Sequence, residues 1–255
     1  MNIIVFDTET AGMITQSLLN VGYEVIDLNI QKGTYETLIR RDYLVSEVFN
    51  CELFMLNDSF VGKAKYDKYK QLLAEKAIIK RTPKQIFETM ANDIAKYKVL
   101  FGYAFNSEFD TDKFEKTAVQ KLIANPLSLL PIHDIWAYAL NYICKTDDYI
   151  KWAKANEMFT KSQTYISTSV ETICRYLYND LTFEEQHTAL DDTQHEIGIL
   201  VECVRRGADI TRPMKLNGRF IPSEKEFTDT IIFGGETHTF TYTKKYERDG
   251  VIKLT

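Results

Sequence analysis

The chain has 255 residues, 45% of them hydrophobic, and carries 31 Lys and Arg against 36 Asp and Glu, a net charge of −5. That composition supports a packed core and excludes global disorder. The acidic balance excludes a protein that coats nucleic acid by bulk charge, but leaves room for a local basic patch and bound cations. The length fits one large domain, or one domain with a small appendage.

No apolar run reaches 18 residues, and "MNIIVFDTE" has neither the basic start nor the cleavage site of a signal peptide, so a cytoplasmic protein without membrane contact is expected. Cys51, Cys144, Cys174 and Cys203 are scattered with no CxxC pair, the pattern of reduced and mostly buried thiols.

In chain order, residues 2–6 are an apolar run that reads as a buried strand, 23–30 ("YEVIDLNI") a second strand and 37–49 an irregular third. Three strands without a helical crossover predict a meander. The stretch 82–97 begins with Thr82 and Pro83 and spaces Ile86, Phe87, Met90 and Ile94 as a helix does. A short buried strand follows at 98–103, then a helix at 106–122. Residues 129–143 read as a strand edge entering a helix, and 167–178 as a capped helix. The segment 187–207 ends in two arginines and a glycine, a helix C-terminal signal. After Thr211 the sequence turns strand-like, with turns expected at Gly234-Gly235 and Asp249-Gly250. The expected division is therefore 1–211 and a β-rich extension, 212–255.

The first apolar strand runs directly into "DTE". Alternation along a strand puts Asp7 and Glu9 on one face and turns Thr8 to the other. Two carboxylates this close repel, and a hard divalent cation such as Mg²⁺ or Mn²⁺ removes the cost; two solvated acids at a strand end are the alternative. In "NSEFD", i,i+4 spacing puts Asn106 and Asp110 on one helical face, with Phe109 turned to the core; a helix cap and a surface acid are the alternative. In "HTALDD", His187 and Asp192 are five positions apart, about 140° around a helix. The two converge only if His187 lies in a frayed start or the preceding loop. Spacing does not choose between Asp191 and Asp192.

Taken together, the three motifs resemble the DnaQ-like 3′–5′ exonuclease family, the His-containing subgroup of the four-acid nucleases. Asp7, Glu9 and Gly12 match Asp-x-Glu-x-x-Gly. Asn106, Phe109 and Asp110 match Asn-x-x-Phe-Asp. His187, Ala189 and Asp192 match His-x-Ala-x-x-Asp, which favours Asp192 over Asp191. The resemblance covers about residues 1–205 and implies an α/β fold, a ribonuclease-H-like mixed β-sheet flanked by helices. Asp134 in "HDIWAYA" looks like a structural acid of the family. Two departures stand out. Ala104-Phe105 replaces the usual Gly-His-like pair before Asn106, and "AIIKRTPKQ" replaces a Gly-Ile-Thr-like element, so the terminal-base pocket is not assigned residue by residue.

The resemblance further implies a two-metal hydrolysis that releases nucleoside 5′-monophosphates from a 3′ end, with two Mg²⁺ or Mn²⁺ ions about 4 Å apart. Asp7, Glu9, Asp110 and Asp192 become the metal ligands and His187 the general base. Thr8, Asn106 and Phe109, inside the motifs, become expected substrate contacts. Residues 62–84 hold eight Lys and Arg against two acids, with Tyr66 and Tyr69 among them. Lys65, Lys68 and Tyr66 are thereby expected to line a track for single-stranded nucleic acid, an ordinary solvated helix face being the other reading. Trp152 is expected to pack inward. The expected substrate is a single-stranded or frayed DNA 3′ end. An RNA end, service as the proofreading subunit of a separate DNA polymerase or replication protein, and a catalytically idle nucleic-acid-binding module are the alternatives.

Overall fold

The computed structural model describes residues 1–12, 17–57, 62–218, 220–233, 236–246 and 252–254. The chain divides into two compact units, 1–142 with 184–215, and 143–183 with 216–255.

The first unit is built on a six-stranded mixed sheet. Strands β1 (Asn2–Ala11), β2 (Ser17–Asn29) and β3 (Thr34–Val45) form the expected antiparallel meander. Helices α1 (Ser46–Phe49), α2 (Glu52–Asn57) and α3 (Gly62–Ala74) then lead to β4 (Ile79–Arg81), parallel to β3 at the sheet edge. Next come α4 (Pro83–Lys96), β5 (Phe101–Ala104), α5 (Ser107–Lys121), β6 (Ile132–Asp134), α6 (Ile135–Ala139) and, returning to this unit, α9 (Ala189–Arg205). The strand order is β4-β3-β2-β1-β5-β6, with β5 parallel to β1 and to β6. This helix-flanked mixed sheet is the ribonuclease-H-like α/β arrangement that the sequence implies. The apparent third strand at 37–49 is shorter at its end than its pattern suggests, because 46–49 turn into α1.

The apolar start of β1 is central in the sheet, and Ile3, Ile4, Val5 and Phe6 are fully buried. Ile4 and Phe6 face a core with Tyr23, Val25, Phe87, Met90 and Phe114, so α4 and α5 cover one side of the sheet. The other side carries α9, which packs on β1, β2 and β3, and α3, whose Tyr66 and Tyr69 join Leu19, Leu44 and Phe49. Helix α4 begins as its sequence indicates. The Thr82 side chain accepts from the Gln85 amide and the Gln85 side chain accepts from the Thr82 amide, a reciprocal cap with Pro83 in the first turn.

One glycine sets how near α9 comes. Gly22 pairs with Asp7, and a Cβ there would overlap the Ala189 carbonyl carbon and the Leu190 nitrogen. The same contact is held by Asn20, fully buried, whose Oδ1 accepts from the Ala189 amide at 2.9 Å and from the Tyr69 hydroxyl at 3.1 Å.

In the second unit lie α7 (Asp147–Ala155), α8 (Val170–Tyr178) and an antiparallel sheet of β7 (Glu226–Phe233), β8 (Glu236–Tyr246) and β9 (Ile252–Leu254). Residues 143–183, expected within the first domain, thus group with the β-rich C-terminal segment. Ser223 donates its amide to the Thr164 carbonyl and Ile166 to that of Ile221, and Tyr165 bridges to Pro222. Trp152 packs on Tyr149 and Tyr176, as expected of an inward-facing residue. The expected turns at 234–235 and 249–250 lie outside the described residues. Cys144, Cys174 and Cys203 are buried, and Cys51 is exposed. No helix among the described residues is long and apolar enough to cross a membrane.

Gly22→Ala is expected to destabilise the protein by about 1–3 kcal/mol through overpacking against helix backbone, and to push the start of α9 off the sheet. Urea unfolding measures the first effect. Hydrogen exchange at residues 188–194 measures the second, with faster exchange expected there than in α4.

Candidate active site

The site forms where β1 outruns its parallel neighbour. Pairing with β5 ends at Val5–Tyr103, so the later backbone groups of β1 on that side need other partners. The Thr8 amide donates to Asp110 Oδ1 at 3.0 Å and the Thr8 hydroxyl donates to the same oxygen at 2.6 Å. Thr8 shares the face of Ile4 and Phe6, toward α5, while Asp7 and Glu9 share the face that carries α9. A register irregularity follows between Glu9 and Thr10, the kind of bulge that re-aims a strand end. Gly12, with φ +87°, then takes a backbone conformation that other residues avoid, which gives the glycine of the first motif its reason.

Asp110 rides on α5 and is buried. The helix is launched by Asn106 in the left-handed conformation, φ +62°. Asp134 Oδ1 accepts from the Asn106 amide at 3.1 Å and the Trp136 amide at 2.8 Å, so Asp134 is the structural acid its segment suggested.

His187 lies in the loop before α9, exposed and with φ +53°. That position removes the angular conflict seen in the sequence. His187, Glu9 and Asp192 each offer a ligand atom within 4.8 Å of the others. Asp191 is engaged elsewhere, its Oδ2 accepting from the Thr188 hydroxyl at 2.6 Å. Asp192, not Asp191, therefore comes together with the other motifs.

Burial, with the charges of neighbouring acids, shows in the proton affinities. Burial, then the charges of Asp110, Asp192 and Glu9, raises Asp7 well above the usual carboxylate range. Burial pushes Asp110 up to about 7 against the pull of its two Thr8 hydrogen bonds. Asp192 rises to about 8 through burial and the charges of Glu185, Glu9 and Asp191, with Lys65 opposing. A further acid, missed in the sequence, belongs to this group. Glu196, one turn after Asp192 and 2% exposed, accepts from the Phe105 amide at 3.2 Å. It is raised by burial and by Asp7 and Asp110. Its signal was an acid in phase with Asp192 on a helix face otherwise held by Ile197, Ile199 and Leu200.

Asp192 Oδ1 is the buried side-chain oxygen that lacks a hydrogen-bond partner among the described residues. A partnerless buried oxygen beside Glu9 and a ring nitrogen of His187 fits a hard divalent cation. Asp7, Glu9, Asp110 and Asp192 are all-oxygen donors of the type Mg²⁺ and Mn²⁺ prefer.

Other expected contacts fall differently. Tyr66 is 5% exposed and packs on Phe49, so it is core rather than a stacking platform; Tyr69 is buried with it. Phe109 faces solvent, not the core, with the Lys113 ammonium 4.5 Å above its ring. The inward face of α5 belongs to Asp110, Phe114, Thr117 and Ala118. Asn106 is exposed while Asp110 is buried, so the two do not share a face. The Thr8 side chain is buried against Asp110, so it orients that carboxylate instead of facing a substrate. Lys65 Nζ contacts Glu9 Oε2 at 2.8 Å, and Lys68 donates to the Gln186 carbonyl. Both lysines thus reach the acidic motifs rather than forming an open track.

No family model matches the chain, and no curated protein matches it. A solved structure described as "3′-end specific recognition of histone mRNA stem-loop by 3′-exonuclease" is similar with a TM-score of 0.53 and 11% identity, over 100% of this chain and 94% of that one. At that identity the likeness establishes a shared fold.

The raised carboxylates make a sign-definite prediction. Asp110 and Asp192 bind their protons more tightly folded than unfolded, so their contribution to stability is complete below about pH 4 and is lost as pH rises through about 7–8. In EDTA the melting temperature is expected to fall between pH 5 and pH 8, and Asp192→Asn to lessen that fall. Added Mn²⁺ is expected to restore stability at pH 8 more than at pH 5. Calorimetry across this range is the check, and a flat profile in EDTA contradicts the assignment.

Proposed function

We propose that this chain is a divalent-metal-dependent 3′–5′ exonuclease acting on single-stranded or frayed DNA ends and releasing nucleoside 5′-monophosphates. The observation that carries the reading is the convergence of Glu9, His187 and Asp192 within 4.8 Å, with Asp192 Oδ1 buried and partnerless. The fold shared with a 3′-exonuclease supports it.

In this reading Asp7, Glu9, Asp110 and Asp192 hold two cations, which supply charge neutralisation and polarise the reacting oxygens when bound. Asp7, on which the charges of Asp110, Asp192 and Glu9 all act, would serve both cations. Thr8 fixes the rotamer of Asp110 through two hydrogen bonds. His187, exposed at the mouth of the site, takes the proton of the attacking water as its oxygen bonds to phosphorus. The bond to the 3′ oxygen breaks, and that oxygen receives a proton from solvent. A histidine is suited to this exchange near neutral pH.

RNA is the second reading, favoured by the histone mRNA stem-loop that the 3′-exonuclease sharing the fold recognises. The acids and the histidine act on the phosphodiester alike in either sugar series. One experiment addresses activity, polarity and sugar together. Incubate 5′-labelled DNA and RNA oligonucleotides with Mg²⁺ or Mn²⁺ and resolve the products. A ladder shortening from the 3′ end, abolished by EDTA, is expected, and the faster series names the substrate. Absence of hydrolysis in both series with both metals refutes the proposal.

His187→Ala is expected to lower kcat by about 10²–10⁴-fold while leaving Mn²⁺ affinity unchanged. Single-turnover rates and calorimetric Mn²⁺ titration separate the roles. Loss of Mn²⁺ binding makes His187 a ligand instead of the base.

A further inference from the structure

Lys65 is placed unlike a residue that follows a nucleic-acid strand. Its ammonium lies 2.8 Å from Glu9 Oε2, with 18% of the Lys65 side chain and 20% of that of Glu9 exposed. It also acts on the charge of Asp192. The ammonium thus addresses two of the three residues that converge at the centre of the site.

Its seat is rigid. Tyr66 and Tyr69, on the same helix, are buried against Phe49. The Tyr69 hydroxyl donates to the Asn20 oxygen that also accepts from the first amide of α9. One turn beyond Lys65, Lys68 donates to the carbonyl of Gln186, the residue before His187. Helix α3 is therefore held to the same hydrogen-bonding centre as the third motif. A lysine on a fixed helix, with a flexible four-carbon stem and three donors, sweeps a small defined volume. Glu9, which it contacts, offers a ligand atom within 4.8 Å of those of His187 and Asp192.

A divalent cation and the ammonium draw on the same Glu9 carboxylate, so each weakens the hold of the other. A phosphodiester brought to these residues offers the ammonium a second anionic partner. We propose that Lys65 is a further catalytic residue, whose ammonium passes from Glu9 to a non-bridging oxygen of the 3′-terminal phosphodiester and offsets the charge that builds there. The step moves no proton from lysine. Water oxygen bonds to phosphorus, its proton goes to His187, the bond to the 3′ oxygen breaks, and solvent protonates that oxygen. The inference rests on the exonuclease reading, and it separates Lys65 from an electrostatic track. A track residue matters more as the strand lengthens, whereas a charge at the scissile group matters equally for a dinucleotide.

The test uses the full chain with Lys65→Met, Lys65→Arg and, as a control on the same helix, Lys70→Met, whose lysine is half exposed. Saturating Mn²⁺ is used with a dinucleotide and a 20-nucleotide strand, and Mn²⁺ affinity is measured by calorimetry without nucleic acid. Lys65→Met is expected to lose about 10²-fold in kcat, the scale of removing one oriented donor from a developing charge, by the same factor on both substrates. It is expected to bind Mn²⁺ several-fold more tightly, because a competing cation is gone. Lys65→Arg is expected to recover part of the rate, and Lys70→Met to match the native protein. Native-like turnover of the dinucleotide by Lys65→Met overturns the proposal, as does a loss that grows with strand length. Weaker Mn²⁺ binding in Lys65→Met also overturns it, since Lys65 then supports the metal site instead of the reaction. Inactivity of the native protein on every substrate refutes the exonuclease reading itself, a result distinct from these.

Discussion

Several carboxylates are buried together at one end of a sheet, and that burial, with their repulsion added, governs this site. Asp7, Glu9, Asp110, Asp192 and Glu196 come from two strand positions and two helices, and burial, with the charges of neighbouring acids, raises the proton affinity of four of them. A stable fold has no use for such crowding by itself, because each acid is better solvated apart. The arrangement makes chemical sense as a receptacle for cations. Lys65 supplies one unit of positive charge from the protein. The rest is left to what binds.

The crowding is tolerated because the surrounding frame is over-determined. Asn20 shows how. Its amide donates to Asp42 and to the Tyr43 carbonyl, and its oxygen accepts from Ala189 and Tyr69. A buried amide with both donors and its acceptor in use is rigid and specific. Here it joins β2 and β3 to α3 and to the start of α9. Gly22, two residues on, removes the side chain that would hold α9 away. The third motif reaches the first because the sheet is bare at that position and hydrogen-bonded beside it.

Much of this was legible in the sequence, for identifiable reasons. Strand periodicity places Asp7 and Glu9 on one face whatever the rest of the chain does. Thr82, Pro83 and Gln85 announce a helix start through local bonds alone. The loop position of His187 followed from an angle that no straight helix satisfies. What failed was whatever depends on tertiary neighbours. Phe109 was read as a core residue, yet Asp110, Phe114 and Thr117 lie in one helical phase and leave Phe109 on the flank. Tyr66 lay among lysines and was read as exposed. Alternation of Lys and Tyr at helical spacing instead marks one buried and one charged face. Glu196 stays hidden because an acid on a helix reads as surface until the opposing strand is known. The second unit's use of 143–183 left no compositional mark, since its links to 216–225 are backbone hydrogen bonds.

The position of Asp110 shows most directly how fold becomes chemistry. Strand β5 stops at Ala104 while β1 continues to Ala11. The Thr8 amide is left beyond the last β1–β5 pair, and a buried amide cannot remain without an acceptor. A carboxylate from the helix that follows β5 fills that need, and the Thr8 hydroxyl doubles the bond. Both bonds lower the proton affinity of Asp110, yet burial outweighs them. The carboxylate is thus aimed by the backbone and kept short of charge compensation by its surroundings. Its orientation follows from the unequal lengths of two parallel strands, before any ion or substrate contributes.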